Sequence, residues 1–403
     1  MNTTLVPKQD RLDSIDCLRG LVIVLMALDH TRDFFGTFGF VSPENASLAS
    51  SALFFTRWIT HFCAPTFVLL AGMGAFLSQA RGMTKPRLAA FLMSRGLWLV
   101  FLELTIVHFG WTFEWNLRQG TWQVIWAIGC SMVGLSLLVW LPAWMIGLIG
   151  LLIIGGHNYF DGLTGIKIVT DTPWLTYVLG ERGWFWDLLH NSNRMFSPAE
   201  GYRYFNLYPL LPWFGVLCAG YGLGPIMTLP THARRKTLFL LGLLAIILFI
   251  GLRYSNYYGD AVKWRVIYSS DETINVLRTV MSFVACTKYP PSLLYLLMTI
   301  GPALLLLVVL EWPLPYVKRF FLTYGRVPLF FYILHLPAIH GLARLVYWWQ
   351  ETHAKSLGVS PGPRGFDLPQ VYLFWVFVVA ALYFPCLGYG WLKKRYGGVL
   401  KYL

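Results

Sequence analysis

Charged residues are scarce in this sequence. Asp, Glu, Lys and Arg make up 13% of the 403 residues, whereas soluble domains carry about 25%. Hydrophobic residues make up 56% of the chain, which also contains 18 Trp, 21 Tyr and 29 Phe. A chain this apolar cannot hide its hydrophobic surface in one water-soluble core. The composition therefore argues against a soluble enzyme and predicts a polytopic membrane protein.

Paired cysteines and a cleavable leader are also missing. The six cysteines stand singly, mostly inside apolar runs, and no CxxC or Cys/His metal spacing occurs. Neither a disulfide framework nor a zinc site is supported by this pattern, and we predict no metal. The opening MNTTLVPKQDRL lacks the apolar centre and the cleavage site of a signal peptide. We expect the apolar run from Leu21 to belong to an uncleaved first transmembrane helix.

Long apolar runs dominate what is present. Ten runs are each near the roughly 20 residues that a helix needs to cross the hydrocarbon core. They lie at 15–36, 53–79, 90–110, 121–141, 143–159, 208–228, 237–253, 291–310, 327–349 and 371–391. We predict an all-α polytopic membrane bundle of about ten helices, with 1–403 as a single domain. The amphipathic piece TINVLRTVMSF, from Thr273, suits the membrane interface better than the hydrocarbon core.

The distribution of basic residues predicts the orientation. With the N-terminus inside, the cytoplasmic stretches are 1–19, 80–95, 229–236, 311–326 and 392–403. These stretches hold 17 of the 32 Lys and Arg but 4 of the 19 Asp and Glu, so the whole net charge of +13 falls on one side. This pattern follows the positive-inside rule, predicts cytoplasmic termini and gives no reason to expect nucleic-acid binding. The outer segments 160–207 and 254–290 are expected to form a lid.

Ionisable residues interrupt the first predicted span in LVIVLMALDHTRDFFG, residues 21–36. His30 lies about 22 Å beyond Ile15 along a helix, in the outer part of the bilayer. Arg19 precedes His30 by eleven residues, so the two share a face and lie about 16 Å apart. Buried ionisable groups are costly and usually face a cavity or a partner. We therefore expect His30 to line a pocket.

The neighbours of His30 extend this interpretation. Asp33 follows His30 by three residues, within reach to orient its imidazole. Asp29 and Arg32 complete the ionisable cluster, although all three neighbours are also compatible with a solvated helix exit. His61, in FFTRWITHFCAPTFVLLAG, lies at a similar depth on the next span. Two such histidines beside carboxylates are a candidate proton-transfer site, and packing is the alternative for each alone.

The sequence resembles a known family in these same motifs. RLDSIDCLRGLVIVLMALDHTRDFF and FFTRWITHFCAPTFVLLAG are similar to bacterial relatives of heparan-α-glucosaminide N-acetyltransferase, within a transmembrane acyltransferase superfamily that has a ten-helix core. The resemblance continues through YPLLPWFGVLCAGYGLG at 208–224, TKYPPSLLYLLMTIGPALLLL at 287–307 and YGRVPLFFYILHLPAIH at 324–340. It implies that cytoplasmic acetyl-CoA acetylates a sugar on the far side of the membrane.

The resemblance also implies a histidine near the outer ends of the first helices. His30 matches the catalytic histidine of acyltransferases that share the opening D-x-L-R-G…H. His61 lies closer to the histidine of the heparan enzyme. Both assignments stay open at this point.

Acyl transfer from CoA needs a base that takes the proton of the acceptor. It also needs cationic side chains that bind the phosphates of CoA. Arg19, Arg95 and Arg326 stand at predicted cytoplasmic helix ends, where they would bind phosphates or anchor to anionic lipid. Lys288 precedes a Pro-Pro turn that would bring it to CoA or substrate if the turn enters the membrane. Glu103, in mid-span, would pair with Arg95 or a histidine, or simply pack.

His335 completes the set of candidate residues. It lies in the ninth span between Pro328 and Pro337, which would kink the helix and free backbone carbonyls. We expect it to line a cavity or to support one.

We therefore predict an acyltransferase of the bacterial inner membrane. It would move an acyl group, acetyl by resemblance, from cytoplasmic acyl-CoA to a sugar or glycan acceptor outside, with lipid as its surroundings and a homodimer left open. The alternatives are a proton-coupled secondary transporter that relays protons through Asp29, His30 and Glu103, and a structural membrane subunit, which leaves the buried ionisable cluster unexplained.

Overall fold

The computed structural model describes residues 12–37, 42–163, 183–197, 199–268, 272–360, 362 and 364–397. In chain order its helices are α1 (Asp13–Phe35), α2 (Ser51–Thr60), α3 (Cys63–Ala80), α4 (Lys85–Leu102), α5 (His108–Thr112), α6 (Val124–Leu138), α7 (Ala143–Gly156), α8 (Trp184–Leu189), α9 (Leu210–Leu223), α10 (Thr231–Ser255), α11 (Glu272–Val284), α12 (Leu293–Leu310), α13 (Pro315–Gly325), α14 (Pro328–Ser356) and α15 (Leu368–Tyr396). A π-helical segment, Glu103–Val107, joins α4 to α5, and 3₁₀ turns follow α7 (His157–Phe160) and α9 (Gly224–Thr228). The all-α polytopic bundle is confirmed.

Each of the ten predicted spans coincides with a helix. Among the described residues, eight helical stretches are long and apolar enough to cross a membrane: Ser51–Ala80, Lys85–Thr112, Ala143–Phe160, Leu210–Thr228, Thr231–Ser255, Leu293–Leu310, Pro328–Ser356 and Leu368–Tyr396. The remaining two predicted spans correspond to α1 and α6. α1 is long enough but carries several ionisable residues, and α6 has only 15 residues, or about 22 Å of helix.

The start of the predicted span 121–141 was wrong. Thr121 and Trp122 belong to strand β1 (Gln119–Trp122), and the helix begins only at Val124. β1 pairs in parallel with β3 (Arg203–Asn206), which pairs antiparallel with β2 (Arg194–Phe196). Strands of three or four residues give almost no periodic signal, and this sheet is formed by segments that are distant in sequence.

Helix α1 lies at the centre of the bundle and packs against α3, α13, α14 and α15. Its contact with α13 is close because glycines face backbone on both sides. A Cβ on Gly20 would lie 1.9 Å from the carbonyl oxygen of Phe321, and a Cβ on Gly325 would lie 1.7 Å from that of Asp16. Small residues of this kind let membrane helices approach closely. The contact fixes the positions of Arg19 and Arg326, which directly neighbour the two glycines.

The two predicted lid segments are structured in the parts that the structure describes. Residues 164–182 and 198 of the first, and residues 269–271 of the second, lie outside the described residues. The second is organised by Arg253, which is 1% exposed and donates to the carbonyl oxygens of Val262, Ser282, Phe283 and Ala285. Asp260 accepts hydrogen bonds from the hydroxyls of Thr287 and Ser292. These bonds set the position of the turn that carries Lys288. TINVLRTVMSF lies in α11, and its location at the interface stays a prediction.

Candidate functional site

The last turns of α1 hold a buried ionic network. Asp29 is 8% exposed and forms ion pairs through Oδ1 with Arg32 Nη1, at 2.8 Å, and through Oδ2 with Arg57 Nη1. Thr60 Oγ1 donates to Asp29 Oδ1 at 3.0 Å, and Arg32 Nη2 donates to Asp33 Oδ1 at 2.7 Å. Buried charges need such partners because desolvation alone would be costly. The network holds α1 and α2 together where the predicted cluster lies.

His30 lies beside this network and is in contact with aromatic rings. Its Nδ1 is 3.8 Å from Asp33 Oδ2, which keeps Asp33 as its neighbouring carboxylate. The His30 ring meets Trp111 edge-on at 5.0 Å between centroids, and His335 at 5.2 Å. The buried Nδ1 has no hydrogen-bond partner among the described residues. The structure thus brings together His30, Asp33 and His335.

His335 is held by the backbone of its own helix. It is fully buried, and its Nδ1 lies 2.6 Å from the carbonyl oxygen of Tyr332 and 3.2 Å from that of Phe331. Carbonyl oxygens only accept, so Nδ1 carries the proton and Nε2 of the neutral ring is an acceptor. That Nε2 is buried without a hydrogen-bond partner among the described residues.

A cavity of about 260 Å³ opens at His30 and is here called the ionic cavity. Its wall includes the whole ionic network together with Lys288 and residues from four other segments. The lining residues are Met26, Asp29, His30, Arg32, Asp33, Arg57, Thr60, Cys63, Ala64, Phe67, Trp111, Gln123, Val124, Leu207, Tyr208, Lys288 and Tyr289. The cavity combines an imidazole, carboxylates and cations with aromatic surface, a composition suited to binding and proton transfer on a polar substrate.

A second cavity of about 340 Å³, the basic cavity, lies toward the beginning of α1. Arg19, Arg95, Arg326 and Lys393 line one part of it, here called the basic mouth, and the rest of the lining is mainly apolar. Phe67 and Val124 line both this cavity and the ionic cavity, and therefore form a shared wall. The three arginines predicted to act together do converge at one mouth.

The basic mouth continues into a larger groove of about 780 Å³. Arg326 and Lys393 line both spaces, and the groove adds Lys318, Arg319 and Lys394. Ion pairs with acidic side chains moderate the charge: Arg19 Nη1 donates to Asp16 at 2.9 Å, and Arg326 Nη2 donates to Asp13 at 3.1 Å. Arginine and lysine side chains of this kind are suited to bind phosphate groups.

His61 lies on a different cavity from His30. Its neighbouring space, also about 260 Å³, shares Arg57, Lys288 and Tyr289 with the ionic cavity. His61 Nε2 is 3.2 Å from Glu44 Oε1, and Arg57 Nε donates to the same oxygen at 2.9 Å. The two histidines therefore line adjacent cavities separated by Arg57, instead of one pocket.

Glu44 lies in the loop before α2 and was not singled out from the sequence. Burial opposes its ionisation, but the hydrogen bond from His61 and the charge of Arg57 outweigh that effect. The pKa of Glu44 therefore lies well below its usual range. A stable carboxylate at this position holds Arg57 between two acids.

The remaining two candidates are Glu103 and Lys288. Glu103 is 2% exposed, and its Oε2 accepts from the backbone N–H of Trp126 at 3.3 Å, in the first turn of α6. A carboxyl oxygen there satisfies a free helix N–H group, so Glu103 supports α6. It does not line any of the four spaces described above. Lys288 lies on the ionic cavity and not with Arg19, Arg95 and Arg326.

One comparison with known proteins identifies this architecture. The family model of the heparan-alpha-glucosaminide N-acetyltransferase catalytic domain matches residues 11–259. The chain belongs to this family. It is therefore a multi-pass membrane protein of an acetyltransferase family, and the matched region contains both histidines and the ionic network. The comparison with curated proteins returns no match.

Several site residues were missed from the sequence. Arg57 stands inside the second predicted span, where an intramembrane cation is itself a signal of function, and this signal was available. Lys318, Arg319 and Lys393 could also have been noted, because they are basic residues in the predicted cytoplasmic stretches 311–326 and 392–403. Their convergence with Arg326 becomes visible only when α13 and α15 are packed together.

Proposed function

We propose that this protein is an acetyl-CoA-dependent acetyltransferase of the bacterial inner membrane. It moves the acetyl group from the cytoplasmic side to an amine or hydroxyl of a sugar or glycan on the outer side. Family membership supports the acetyltransferase chemistry, and the one-sided distribution of basic residues supports the direction.

The shared wall between the basic and ionic cavities is the observation that carries this proposal. Phe67 and Val124 separate a mouth rich in arginine from a cavity that contains His30. CoA fits such a division because its phosphates are polyanionic and its pantetheine arm is long and thin. Arg19 and His30 are about 16 Å apart along α1, comparable with an extended pantetheine arm. The thioester would reach the shared wall while the nucleotide remains in the groove beside Arg326.

His30 is the base in this mechanism. It takes the proton from the acceptor N–H or O–H as that atom bonds to the thioester carbonyl carbon. The tetrahedral intermediate collapses when the C–S bond breaks, and the imidazolium returns the proton to the departing thiolate. Asp33 stabilises the imidazolium, and the ammonium of Lys288 on the cavity wall favours the developing oxyanion.

His61 and Asp29 act indirectly on the reaction. Asp29 holds Arg32 and Arg57 in place through its two oxygens. His61, with Glu44, fixes the far side of Arg57 and lines the adjacent cavity, where the rest of a glycan acceptor would extend. His30 is preferred as the base because it, and not His61, lines the cavity that adjoins the basic cavity.

The test is acetyl transfer by the purified, reconstituted protein with acetyl-CoA and a glucosamine-terminated oligosaccharide. We expect free CoA and acetylated sugar to form in equal amounts, and both to fall in His30→Ala. The exposed His353 on α14 provides the matched control, His353→Ala. Failure to bind acetyl-CoA would overturn the proposal.

The transporter alternative is weakened by Glu103. A proton relay through Asp29, His30 and Glu103 needs all three on one polar route, but Glu103 instead accepts from the start of α6. A pH gradient dissipated by proteoliposomes without acetyl-CoA would favour the transporter.

A further inference from the structure

A group of metal-ligating side chains lies apart from the site described above. His157 begins the 3₁₀ turn after α7, Asp161 follows that turn, and His190 follows α8. One ligand atom from each residue can be chosen so that all three lie within 4.8 Å of one another. We propose that these residues form a zinc site at the end of α7.

The two imidazoles are buried, and Asp161 Oδ1 lies 3.4 Å from His190 Nε2 without forming a hydrogen bond of good geometry. His157 is 1% exposed and His190 is fully buried. Neither ring nitrogen of either residue has a hydrogen-bond partner among the described residues. Most buried polar side-chain atoms in proteins are satisfied, and an exception calls for an explanation such as an ion. A metal ion would satisfy both rings at once.

One ligand–ligand distance matches a tetrahedral coordination sphere. His190 Nε2 is 3.4 Å from Asp161 Oδ1, about the edge of a tetrahedron with metal–ligand bonds near 2.1 Å. The ring centroids of His157 and His190 are 5.7 Å apart, and the ring planes are inclined at 65°. Asp161 is held by Asn158, whose Nδ2 donates to Oδ2 at 2.9 Å. Such a bond to the second carboxylate oxygen orients metal-binding carboxylates in known sites.

The ligand types narrow the choice of ion to transition metals. Two imidazoles and one carboxylate suit zinc and its transition-metal neighbours, whereas calcium and magnesium take oxygen ligands. The Asp161 side chain is 25% exposed, so water can complete a fourth position. Sequence spacing could not reveal the set because His190 comes from a separate segment and no cysteine takes part.

The site would link the outer segment 160–207 to the end of α7. His157 follows a long apolar helix, and His190 lies next to Asn191, whose backbone carbonyl accepts from Asn206 of β3 at 3.0 Å. Asn193, shortly after His190, lines the cavity of His61. Bound zinc would therefore stabilise the connection between α7, the sheet and the neighbourhood of the acceptor cavity.

The experiment uses the full chain in detergent, with affinity tags removed and metal stripped by chelation. Zn²⁺ is added in competition with a chromophoric chelator, and bound zinc is counted by elemental analysis. We expect one zinc per chain, with affinity weakened by about 100-fold or more in His157→Gln, His190→Gln and Asp161→Asn. The exposed His232 provides the control variant His232→Gln, which should bind as the unmodified chain does.

A second measurement covers variants that fail to fold. Co²⁺ added to the unmodified chain should give the visible bands of a four-coordinate ion, and Zn²⁺ should abolish them. Zinc should also raise the thermal unfolding midpoint of the unmodified chain. Absent zinc uptake, unchanged affinity in folded His190→Gln, or Co²⁺ with only octahedral bands would each overturn the proposal.

Discussion

The rings of His30 and His335 lie 5.2 Å apart, on two helices that are about 300 residues apart in sequence. His335 donates through Nδ1 to backbone carbonyls, which leaves Nε2 as the acceptor nitrogen of the ring. That arrangement fixes the orientation of one ring and limits the rotation of the other. It makes His335 a positioning residue for the proposed base.

Replacement of His335 should therefore lower kcat and leave the KM for acetyl-CoA unchanged. We expect His335→Ala to lose about 10- to 100-fold in kcat, the scale of a small misplacement of a reacting group. His335→Gln should recover part of the loss, because an amide can both donate to Tyr332 and accept. Steady-state kinetics on reconstituted protein measures both parameters. Equal losses in the two variants would assign His335 a packing role.

Removal of the base should separate binding from chemistry. His30→Ala should insert, fold and bind CoA, since the phosphates bind at the other end of α1. It should lose acetyl transfer by about 10²–10⁴-fold. Asp33→Asn should cost less, because the imidazole remains. Isothermal titration calorimetry measures the affinity for CoA, and single-turnover kinetics measures the rate of acetyl transfer.

His61 provides the decisive comparison for this assignment. Normal turnover in His30→Ala beside an inactive His61→Ala would move the base to His61. If both His30→Ala and His61→Ala remain active, the reaction takes place at a site outside these two cavities.

The arginines at the basic mouth should determine CoA affinity. Arg19→Ala and Arg326→Ala should each weaken binding by about 1.5–3 kcal/mol, the usual worth of a hydrogen bond to a charged group, or roughly 10- to 150-fold. Arg87 on α4 is exposed and does not line the described cavities. Arg87→Ala should therefore bind CoA normally. An equal loss in all three variants would indicate a general charge effect.

The close contact between α1 and α13 should not tolerate a methyl group. Gly20→Ala would place Cβ against the carbonyl oxygen of Phe321, and overpacking of this kind costs about 1–3 kcal/mol. Gly388 on α15 faces open space, so Gly388→Ala should be neutral or slightly stabilising. Thermal unfolding in detergent compares the two. An unchanged midpoint in Gly20→Ala would show that the helices can separate without cost.

Glu44 should make stability depend on acid pH. Its folded pKa lies below the ordinary 4.5, so its contribution is complete above that value and is lost as pH falls toward the folded pKa. The unfolding midpoints of the unmodified chain and Glu44→Gln should differ at pH 7 and converge below pH about 4.5. If the unfolding midpoints of the two proteins differ by the same amount at pH 7 and below pH about 4.5, the ion pairs of Glu44 with Arg57 and His61 are contradicted.

The sequence by itself determined that the chain lies in a membrane, where its helices occur, and that ionisable residues cluster in the last turns of α1. Apolar length and basic asymmetry are local properties of the chain, and each predicted span coincides with a helix. His30, Asp33 and Asp29 could be placed on one cavity because their spacing is contained within one helix. The family resemblance was likewise carried by continuous motifs.

Tertiary structure alone decided which helices bring their side chains together. His61 and His30 are predicted to lie at a similar depth in the membrane, but Arg57 lies between their cavities. Depth alone does not determine toward which neighbouring helices a side chain points. Glu103 supports α6 because an irregular π-helical segment brings its carboxylate to that helix. Lys288 reaches the ionic cavity because Arg253 and Asp260 fold a long outer segment around buried hydrogen bonds. These outcomes depend on contacts between distant segments, which no local pattern of residues encodes.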